Sequence, residues 1–447
     1  MKIKSLLLLT ALSAGIEANA QLNVWATDSI EMGANYANDV FYNLKNGNKK
    51  VQVANDWDLA FQMTAFGDSA FNATIRANHA KKKVEVYSVH VDSAGFDAYT
   101  AADTAGMLKP TMQQVNNEVS WGEGAFFQNR DASDLFDYGW GRYQGSPNHN
   151  LRGDSVYVVK VGAAAYKILV MDYTSIGPNI GYTFRIAALD GSSDNTVNIK
   201  RSTPTDFKTR LWAYYNIASN TVIDREPSKT DWDMLFTQYV KKGIFGPSGL
   251  QVYTGVLVNQ NVMVAKVRKM GLDADTANYM NYMSLFTTKT NTIGDDWKVF
   301  DQPNMKYIVS DSTTYFIKTN DGAYHQLLFT RFDGAFPPFT GKVVFDKRKL
   351  TQPTGVKSQV RDIEAFVIVP NPSVNGKVNV MIDVKEAAQN ARLVITDITG
   401  KVIENNAVIL TTGLNALEVK TSGLVAGSYF VTITNGSWKV SDRLIVQ

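Results

Sequence analysis

The residue types and spacings in this sequence exclude several common kinds of metal site and catalytic site. The chain of 447 residues contains no cysteine, so thiolate catalysis and thiolate metal sites are excluded. No catalytic triad order, zinc-ligand spacing or glycine-rich phosphate loop is present in the sequence. The four histidines are His79, His90, His149 and His325.

Two pairs of aspartates flank tryptophans in similar surroundings. Residues 55–61 read NDWDLAF and residues 230–236 read TDWDMLF. Residues two apart on a strand share a face, so each pair could offer two carboxylates, as a glycosidase does. Such carboxylates must lie about 5–10 Å apart across a cleft, which adjacency in sequence does not show. Because the pattern occurs twice, we favour a structural role, with the tryptophan buried and the acids binding turn amides.

The N-terminus predicts export from the cytoplasm. Lys2 and Lys4 precede an aliphatic run at residues 6–12, and Ala18-Asn19-Ala20 has the small side chains that a signal peptidase requires. We therefore predict a signal peptide at residues 1–20. No cysteine follows it, so we expect no lipid anchor. No later apolar run reaches about eighteen residues, so we predict no transmembrane segment.

The charge of the chain is nearly balanced. It has 45 basic and 42 acidic residues, and the net charge is +3. The longest basic run, Lys81-Lys82-Lys83, is typical of a solvated edge or turn. Because the basic residues are not clustered, we predict no nucleic-acid partner.

From Phe366 onward, short apolar strands alternate with turn residues. Residues 378–384 and 393–395 are predicted strands, and Asp397 to Gly400 is a predicted tight turn. Asn435-Gly436 is a strong hairpin signal, because both residues tolerate a positive φ. About seven short strands in this region predict an immunoglobulin-like β-sandwich.

Three spaced motifs in this region resemble the type IX secretion sorting domain of Bacteroidetes. They are Pro370-Asn371-Pro372, the turn at residues 397–400 and the segment Leu424-x-x-Gly427-x-Tyr429. The resemblance covers roughly residues 366–447. It implies passage through the periplasm, recognition by the type IX secretion machinery at the outer membrane, and then release or attachment at the cell surface. Residues 350–365 are polar, and we predict that they form a linker.

The remaining chain contains two segments that align with each other. Their anchors keep the same order at slowly changing offsets, so we predict two tandem, mainly β domains at residues 21–202 and 203–349. Two copies are too few for a propeller, which needs at least about four blades. Besides the Trp-Asp motifs, the matched anchors are Tyr42-Asn43-Leu44 with Tyr215-Asn216-Ile217, Trp140 with Trp297, and Pro147-Asn148-His149 with Pro303-Asn304-Met305.

The order of these anchors resembles that of HmuY-type haem-binding proteins. It runs from a YNL segment through DWDLAF, GW-x-x-Y and NH to paired β segments and a GYTFR strand. The resemblance spans most of residues 36–200 and, more weakly, residues 210–348. It implies an all-β surface haemophore or a relative of one. Such proteins are usually lipid-anchored; here the sorting domain would take over the role of the anchor.

Haem iron requires one or two axial ligands, which in this chain must be His, Met or Tyr. His149 lies in a predicted loop beside Tyr143 and Trp140, whose rings could face a porphyrin. Met305 occupies the aligned position in the second copy. We therefore name His149 and Met305 as candidate haem ligands. The alternative interpretation is that His149 caps a turn and Met305 only packs.

Two functions are compatible with the sequence. The first is a secreted or cell-surface binding protein with haem as the leading ligand. The second is a surface structural or adhesive protein that uses the same fold without haem, because a fold does not determine a function. No catalytic constellation is evident, so we do not expect an enzyme. Haem absorbance would distinguish the two functions.

Overall fold

A computed structural model gives the structure of the protein. It describes residues 24–65, 73–202, 206–242, 249–268, 279–334, 340–350, 363–374 and 376–446. Strands dominate these residues and the helices are short 3₁₀ turns, so the prediction of a mainly β protein is confirmed. The predicted signal peptide at residues 1–20 lies outside the described residues.

The strands are numbered in chain order. Before residue 54 they are β1 (Ala26–Glu31), β2 (Asn38–Tyr42) and β3 (Lys49–Val53). From residue 54 to 223 they are β4 (Leu59–Gln62), β5 (Ile75–Ala77), β6 (Glu85–Asp92), β7 (Gly141–Tyr143), β8 (Leu151–Gly153), β9 (Ser155–Val161), β10 (Ala164–Thr174), β11 (Gly181–Ala188), β12 (Asn195–Lys200), β13 (Trp212–Asn216) and β14 (Thr221–Ile223).

The later strands complete the list. From residue 224 to 350 they are β15 (Met234–Lys242), β16 (Leu250–Val258), β17 (Met263–Arg268), β18 (Lys298–Asp301), β19 (Lys306–Val309), β20 (Thr313–Lys318), β21 (Tyr324–Asp333) and β22 (Lys342–Lys349). After residue 362 they are β23 (Ile363–Val374), β24 (Lys377–Val384), β25 (Ala388–Asp397), β26 (Val402–Leu410), β27 (Gly413–Lys420), β28 (Gly427–Thr434) and β29 (Lys439–Val446). The 3₁₀ helices are Ala34–Tyr36, Ser93–Gly95, Ala101–Thr104, Pro110–Met112, Ala125–Phe127 and Tyr279–Leu285.

Residues 54–223 form one β unit, called body one below. A seven-stranded sheet contains the order β12-β11-β10-β8-β7, with β9 joining β10 to β6. A second sheet has the order β14-β13-β4-β5. Inward-facing aromatic and β-branched side chains from both sheets, such as Phe61, Tyr157 and Phe184, fill a single core.

Body two combines residues 24–53 with residues 224–350. Its five-stranded sheet has the order β1-β22-β21-β20-β17, and its four-stranded sheet has the order β16-β15-β2-β3. The shared core contains Ile30 and Tyr42 from the early strands together with Phe236 and Phe345 from the late ones. Body one is therefore inserted into body two between β3 and β15.

This pairing corrects the predicted division at residues 21–202 and 203–349, which follows chain order. Strand β2 pairs with β15, and β13 pairs with β4, so hydrogen bonds cross the predicted boundary in both directions. Burial explains the difference. The apolar faces of β1 and β2 complete the core of body two, and β13 completes the core of body one.

The C-terminal domain is a β-sandwich, as predicted. Its strands have the hydrogen-bonded order β26-β25-β28-β29-β23-β24-β27 around an apolar core. The predicted linker at residues 350–365 is shorter at both ends. Leu350 is buried, Ile363 begins β23, and the residues between 351 and 362 lie outside the described ranges.

Candidate functional site

His149 lies in the turn that joins β7 to β8. Its backbone has φ of 52°, and its N–H donates to the carbonyl of Gly145 at 2.9 Å. The imidazole Nδ1 is hydrogen bonded to the hydroxyl of Tyr143, and the two rings stack at 5.8 Å with an angle of 29°. The half-buried imidazole is thus held in one orientation by a phenol at the protein surface.

An exposed apolar surface adjoins this pair. The ring of Phe136 also stacks on that of Tyr143, at 5.8 Å and 10°; Phe136 is 54% exposed and Leu135 is 89% exposed. The same loop borders a surface hollow of about 470 Å³, which falls within the range of about 300–1,000 Å³ for small-molecule sites. Its lining residues are Gln144, Gly145, Ser146, Pro147, Asn148, Asn150, Leu151, Arg152, Met171 and Asp172.

Met305 occupies the matching turn between β18 and β19. Its φ is 50°, its N–H donates to the carbonyl of Gln302 at 3.2 Å, and its side chain is 46% exposed. All the residues that line the hollow beside His149 belong to body one. The structure therefore places His149 and Met305 in equivalent turns of different bodies and does not bring them to one site.

The environments of the other histidines differ from that of His149. His79 and His325 are buried, and burial lowers the pKa of each imidazole to about 4. His79 accepts a hydrogen bond from the N–H of Asn116 and contacts the carbonyl of Val84 at 2.6 Å. His90 is exposed at a register shift in β6. Thus His90 and His149 are the two histidines whose side chains are not buried.

Trp140 does not contribute to the surface around His149. Its side chain is buried in the core of body one, and its indole N–H donates to the carbonyl of Ala73 at 3.1 Å. The expectation that Trp140 could face a porphyrin is therefore wrong. Trp140 follows Gly139, which has a positive φ, and directly precedes β7. Its side chain fills the core because burying its large apolar area is favourable.

The two Trp-Asp motifs are held by equivalent hydrogen bonds. The Asp58 carboxylate accepts from the N–H of Ile217 at 2.7 Å, and the Asp233 carboxylate accepts from the N–H of Leu44 at 2.8 Å. Each aspartate N–H in turn donates to the carbonyl of a tyrosine, Tyr215 or Tyr42, at 2.8 Å. The interpretation as ligands of turn amides is confirmed for Asp58 and Asp233. Asp56 instead pairs with Arg225 at 3.2 Å and Asp231 is exposed, and Trp232 is buried whereas Trp57 is only partly buried. The Asp233 motif binds a YN segment that lies before the insertion of body one, whereas the Asp58 motif binds a YN segment at the other end of body one itself.

An aromatic cleft between the two bodies was not predicted from the sequence. Its side chains come from both bodies, and the polar ones form buried ion pairs. Arg225 donates to Asp39 at 3.0 Å and lies over the ring of Tyr214 at 5.0 Å, while Arg76 pairs with Glu118. Its aromatic walls are Trp57, Trp121, Trp212, Tyr214, Trp232 and Tyr239.

Glu226 is the buried acid of this cleft. Its carboxylate accepts hydrogen bonds from the N–H groups of Leu211 and Trp212, the latter at 2.6 Å, and burial raises its pKa to about 8. The cavity volume is only about 70 Å³. This is far below the roughly 300 Å³ of the smallest usual ligand pockets, so the cleft cannot admit a porphyrin. Successive tryptophans of the cleft lie roughly 20 to 90 residues apart in the chain. No local sequence pattern therefore predicts that their side chains come together.

Within the described part of the chain, no three His, Asp or Glu side chains are grouped so as to hold a metal ion. None of the helices in that part is both long and apolar enough to cross a membrane.

Comparison with known proteins assigns the C-terminal domain. Residues 367–447 match the family described as the secretion system C-terminal sorting domain. No curated protein matches the sequence.

Solved structures resemble the chain only distantly. A lipoprotein of Bacteroides fragilis has 13% identity and a TM-score of 0.18, covering 32% of this chain and 84% of its own. An HmuY-like heme binding protein of Bacteroides vulgatus has 14% identity and a TM-score of 0.17, covering 32% of this chain and 86% of its own. Dimeric latent PorU from Porphyromonas gingivalis has 9% identity and a TM-score of 0.17, covering 65% of this chain and 26% of its own. Structural similarities with TM-scores this low establish neither a shared fold nor a shared function.

The family match covers nearly the same residues as the described β-sandwich, whose strands run from Ile363 to Val446. Residues 367–447 are therefore a secretion system C-terminal sorting domain, and the chain is exported by type IX secretion to the cell surface or beyond it.

Proposed function

We propose that the exported chain is a non-catalytic binding protein that takes haem or a related tetrapyrrole at the His149 turn. One observation carries the proposal: the His149 imidazole is held by Tyr143, on whose ring the exposed Phe136 stacks, in a turn whose neighbouring residues Asn148 and Asn150 line a hollow of about 470 Å³. An apolar platform next to a nitrogen donor is what a porphyrin and its iron require.

The residues at this turn suit a haem group by their chemistry. Haem, when bound, supplies an iron that takes an imidazole nitrogen as an axial ligand. Tyr143 would orient the His149 ring through its hydrogen bond, as groups behind a ligand do in metal sites. Phe136 and Leu135 would cover the apolar face of the ring system, which would remove their exposed area from water.

Met305 is a second candidate ligand in the equivalent turn of body two. Its thioether is exposed, and Phe300 and Ile308 of the same hairpin also expose apolar surface. Because Met305 lies in a turn of body two and His149 in a turn of body one, we propose that each body would bind independently. The histidine site is the stronger of the two, because its ring is already oriented.

Titration of the mature protein with haemin tests the proposal. We expect a shift of the Soret band that saturates and is lost in His149→Ala. Tyr143→Phe, which removes only the hydroxyl, should weaken binding about tenfold. His90→Ala is the matched control, since His90 is the other exposed histidine and lacks the aromatic surround. No Soret shift in the wild-type protein, or an equal shift in His149→Ala, would refute haem binding at this turn.

We also propose that bodies one and two are copies of one ancestral unit that exchanged their N-terminal hairpins. The hairpins β2–β3 and β13–β14 take the same place, beside β15 and β4. The equivalent hydrogen bonds of Asp58 and Asp233 support this origin. The exchange would give one chain two similar surfaces, one on each body.

A structural or adhesive protein is the second proposed function. It is favoured by the inter-body cleft, whose aromatic faces are already covered by the protein's own arginines and whose volume is small. That arrangement holds two bodies together. Binding to an array of glycans and matrix proteins, without haem binding, would support this function over the first.

A further inference from the structure

One face of the sorting domain packs against body two. The side chains of β23 alternate: Phe366 and Ile368 point into the domain's own core, and Val367 points the other way. Val367 and Met381 of β24 join a buried cluster with side chains of body two, and Val369 packs at its edge. The outer face of the sorting domain is therefore apolar where it meets body two.

The surface of body two that receives this face is built from stacked aromatic rings. Tyr279 stacks on Tyr324 at 4.2 Å and 20°, and Tyr282 stacks on Phe316 at 5.4 Å and 16°. These four side chains are all buried in the complete chain. Flat aromatic surfaces of this kind are typical of protein interfaces and are rarely left in contact with water.

An ion pair fixes the orientation of the two surfaces. Lys318 of β20 contacts the carboxylate of Asp383 on β24, and the side chains are only 14% and 6% exposed. A buried charge without its partner is strongly unfavourable, whereas a buried pair is tolerated when its geometry is good. The Lys318–Asp383 pair therefore disfavours any other orientation of the sorting domain on body two.

We propose that the sorting domain is a docked partner of body two, held by this interface independently of the linker. The domain stays bound when the chain is cut between residues 351 and 362. Its departure requires displacement as well as cleavage, and it uncovers the aromatic surface around Tyr279 and Tyr324. The partner that this surface fits is thus the chain's own sorting domain.

Cleavage of the full chain at an engineered site tests the proposal. A recognition sequence for a specific protease is inserted between Val356 and Lys357, the protein is cut, and the products are separated by size-exclusion chromatography. We expect the two pieces to elute together. Their binding should weaken about a hundredfold or more in Lys318→Glu, which leaves the sorting domain unchanged and buries two like charges.

Two further variants complete the test. Asp383→Lys should separate the pieces, and combining it with Lys318→Glu should restore co-elution, because the pair is re-formed with reversed charges. Glu418→Lys is the control, since Glu418 forms an exposed pair with Lys377 on the same sheet. If the cut wild-type pieces separate, or if Lys318→Glu co-elutes as firmly as the wild type, the docking is refuted. Failure of haemin binding would leave this result unaffected.

Discussion

At the scale of single residues, burial decides what each ionisable group can do. His79 and His325 are enclosed and held neutral, whereas His149 lies at the surface beside a phenol. The two aspartates of each Trp-Asp motif resemble a catalytic pair in the sequence, but one of each pair, Asp58 or Asp233, accepts a hydrogen bond from a backbone N–H. Glu226 is the extreme case, because its carboxyl is fully enclosed at the junction of the two bodies.

Glu226 gives the molecule a predictable pH dependence. Its pKa is raised from about 4.5 to about 8 in the folded chain, so the folded state retains a proton that the unfolded state loses. This contribution to the free energy of unfolding is complete below about pH 4.5 and is lost as the pH rises towards 8, by roughly 1 kcal/mol per pH unit. Glu226→Gln should remove that slope.

Urea unfolding followed by tryptophan fluorescence at pH 5, 6, 7 and 8 measures this effect. The difference between wild type and Glu226→Gln isolates the group from the other titrating residues. Glu386→Gln, at an exposed position, serves as the control and should keep the wild-type slope. Parallel curves for wild type and Glu226→Gln would contradict the assignment.

At the scale of elements, the two hairpins β2–β3 and β13–β14 are the links that define the bodies. Each places a YN segment against a Trp-Asp motif, where an aspartate binds the first amide after the segment. The positive φ shared by His149 and Met305 is a second element-level feature. It shows that the aligned position is a turn position in both bodies, whatever ligand either side chain binds.

Removing one motif aspartate should loosen its hairpin. Asp233→Ala leaves the N–H of Leu44 buried without an acceptor, and we expect a loss of about 1–3 kcal/mol in the free energy of unfolding. Asp58→Ala should cost a similar amount through Ile217. Asp231→Ala is the control, because Asp231 is exposed. Urea midpoints give the values, and equal stability of Asp233→Ala and Asp231→Ala would argue against the role.

At the scale of the whole molecule, body one is continuous in sequence and body two is not. The core of body one is supplied by residues between 54 and 223. The core of body two needs Ile30, Val40 and Tyr42 from the chain before the insertion. The aromatic cleft also joins the two bodies. There the indole N–H of Trp121 in body one donates to the carbonyl of Val258 in body two at 2.8 Å.

The insertion predicts how fragments of the chain behave. A fragment of residues 54–223 should fold alone, with the far-ultraviolet circular dichroism of a β protein and a cooperative thermal transition. A fragment of residues 224–350 should stay unfolded, because it lacks β1 and β2, and adding residues 24–53 as a peptide should promote its folding. Independent folding of residues 224–350 would contradict the described pairing.

The sequence by itself determined the classes of structure. Alternating apolar residues and turn signals such as Asn435-Gly436 encode strands and hairpins locally, so the mainly β fold and the sorting domain were predicted correctly. Asp58 and Asp233 of the Trp-Asp motifs were also interpreted correctly as acceptors for turn amides, whereas Asp56 pairs with Arg225 instead. The sequence also predicted that His149 lies in a loop after Pro147, and the residue lies in the turn between β7 and β8.

Only the tertiary structure decided which strands belong together. Strand pairing and core burial depend on which apolar faces meet, and contacts between residues 42 and 234 or 61 and 213 leave no local pattern in the chain. For the same reason the aromatic cleft, the buried position of Trp140 and the seating of the sorting domain on body two could not be read from residue order. Local propensity selects the strand; the free energy of burying its apolar face selects its partner.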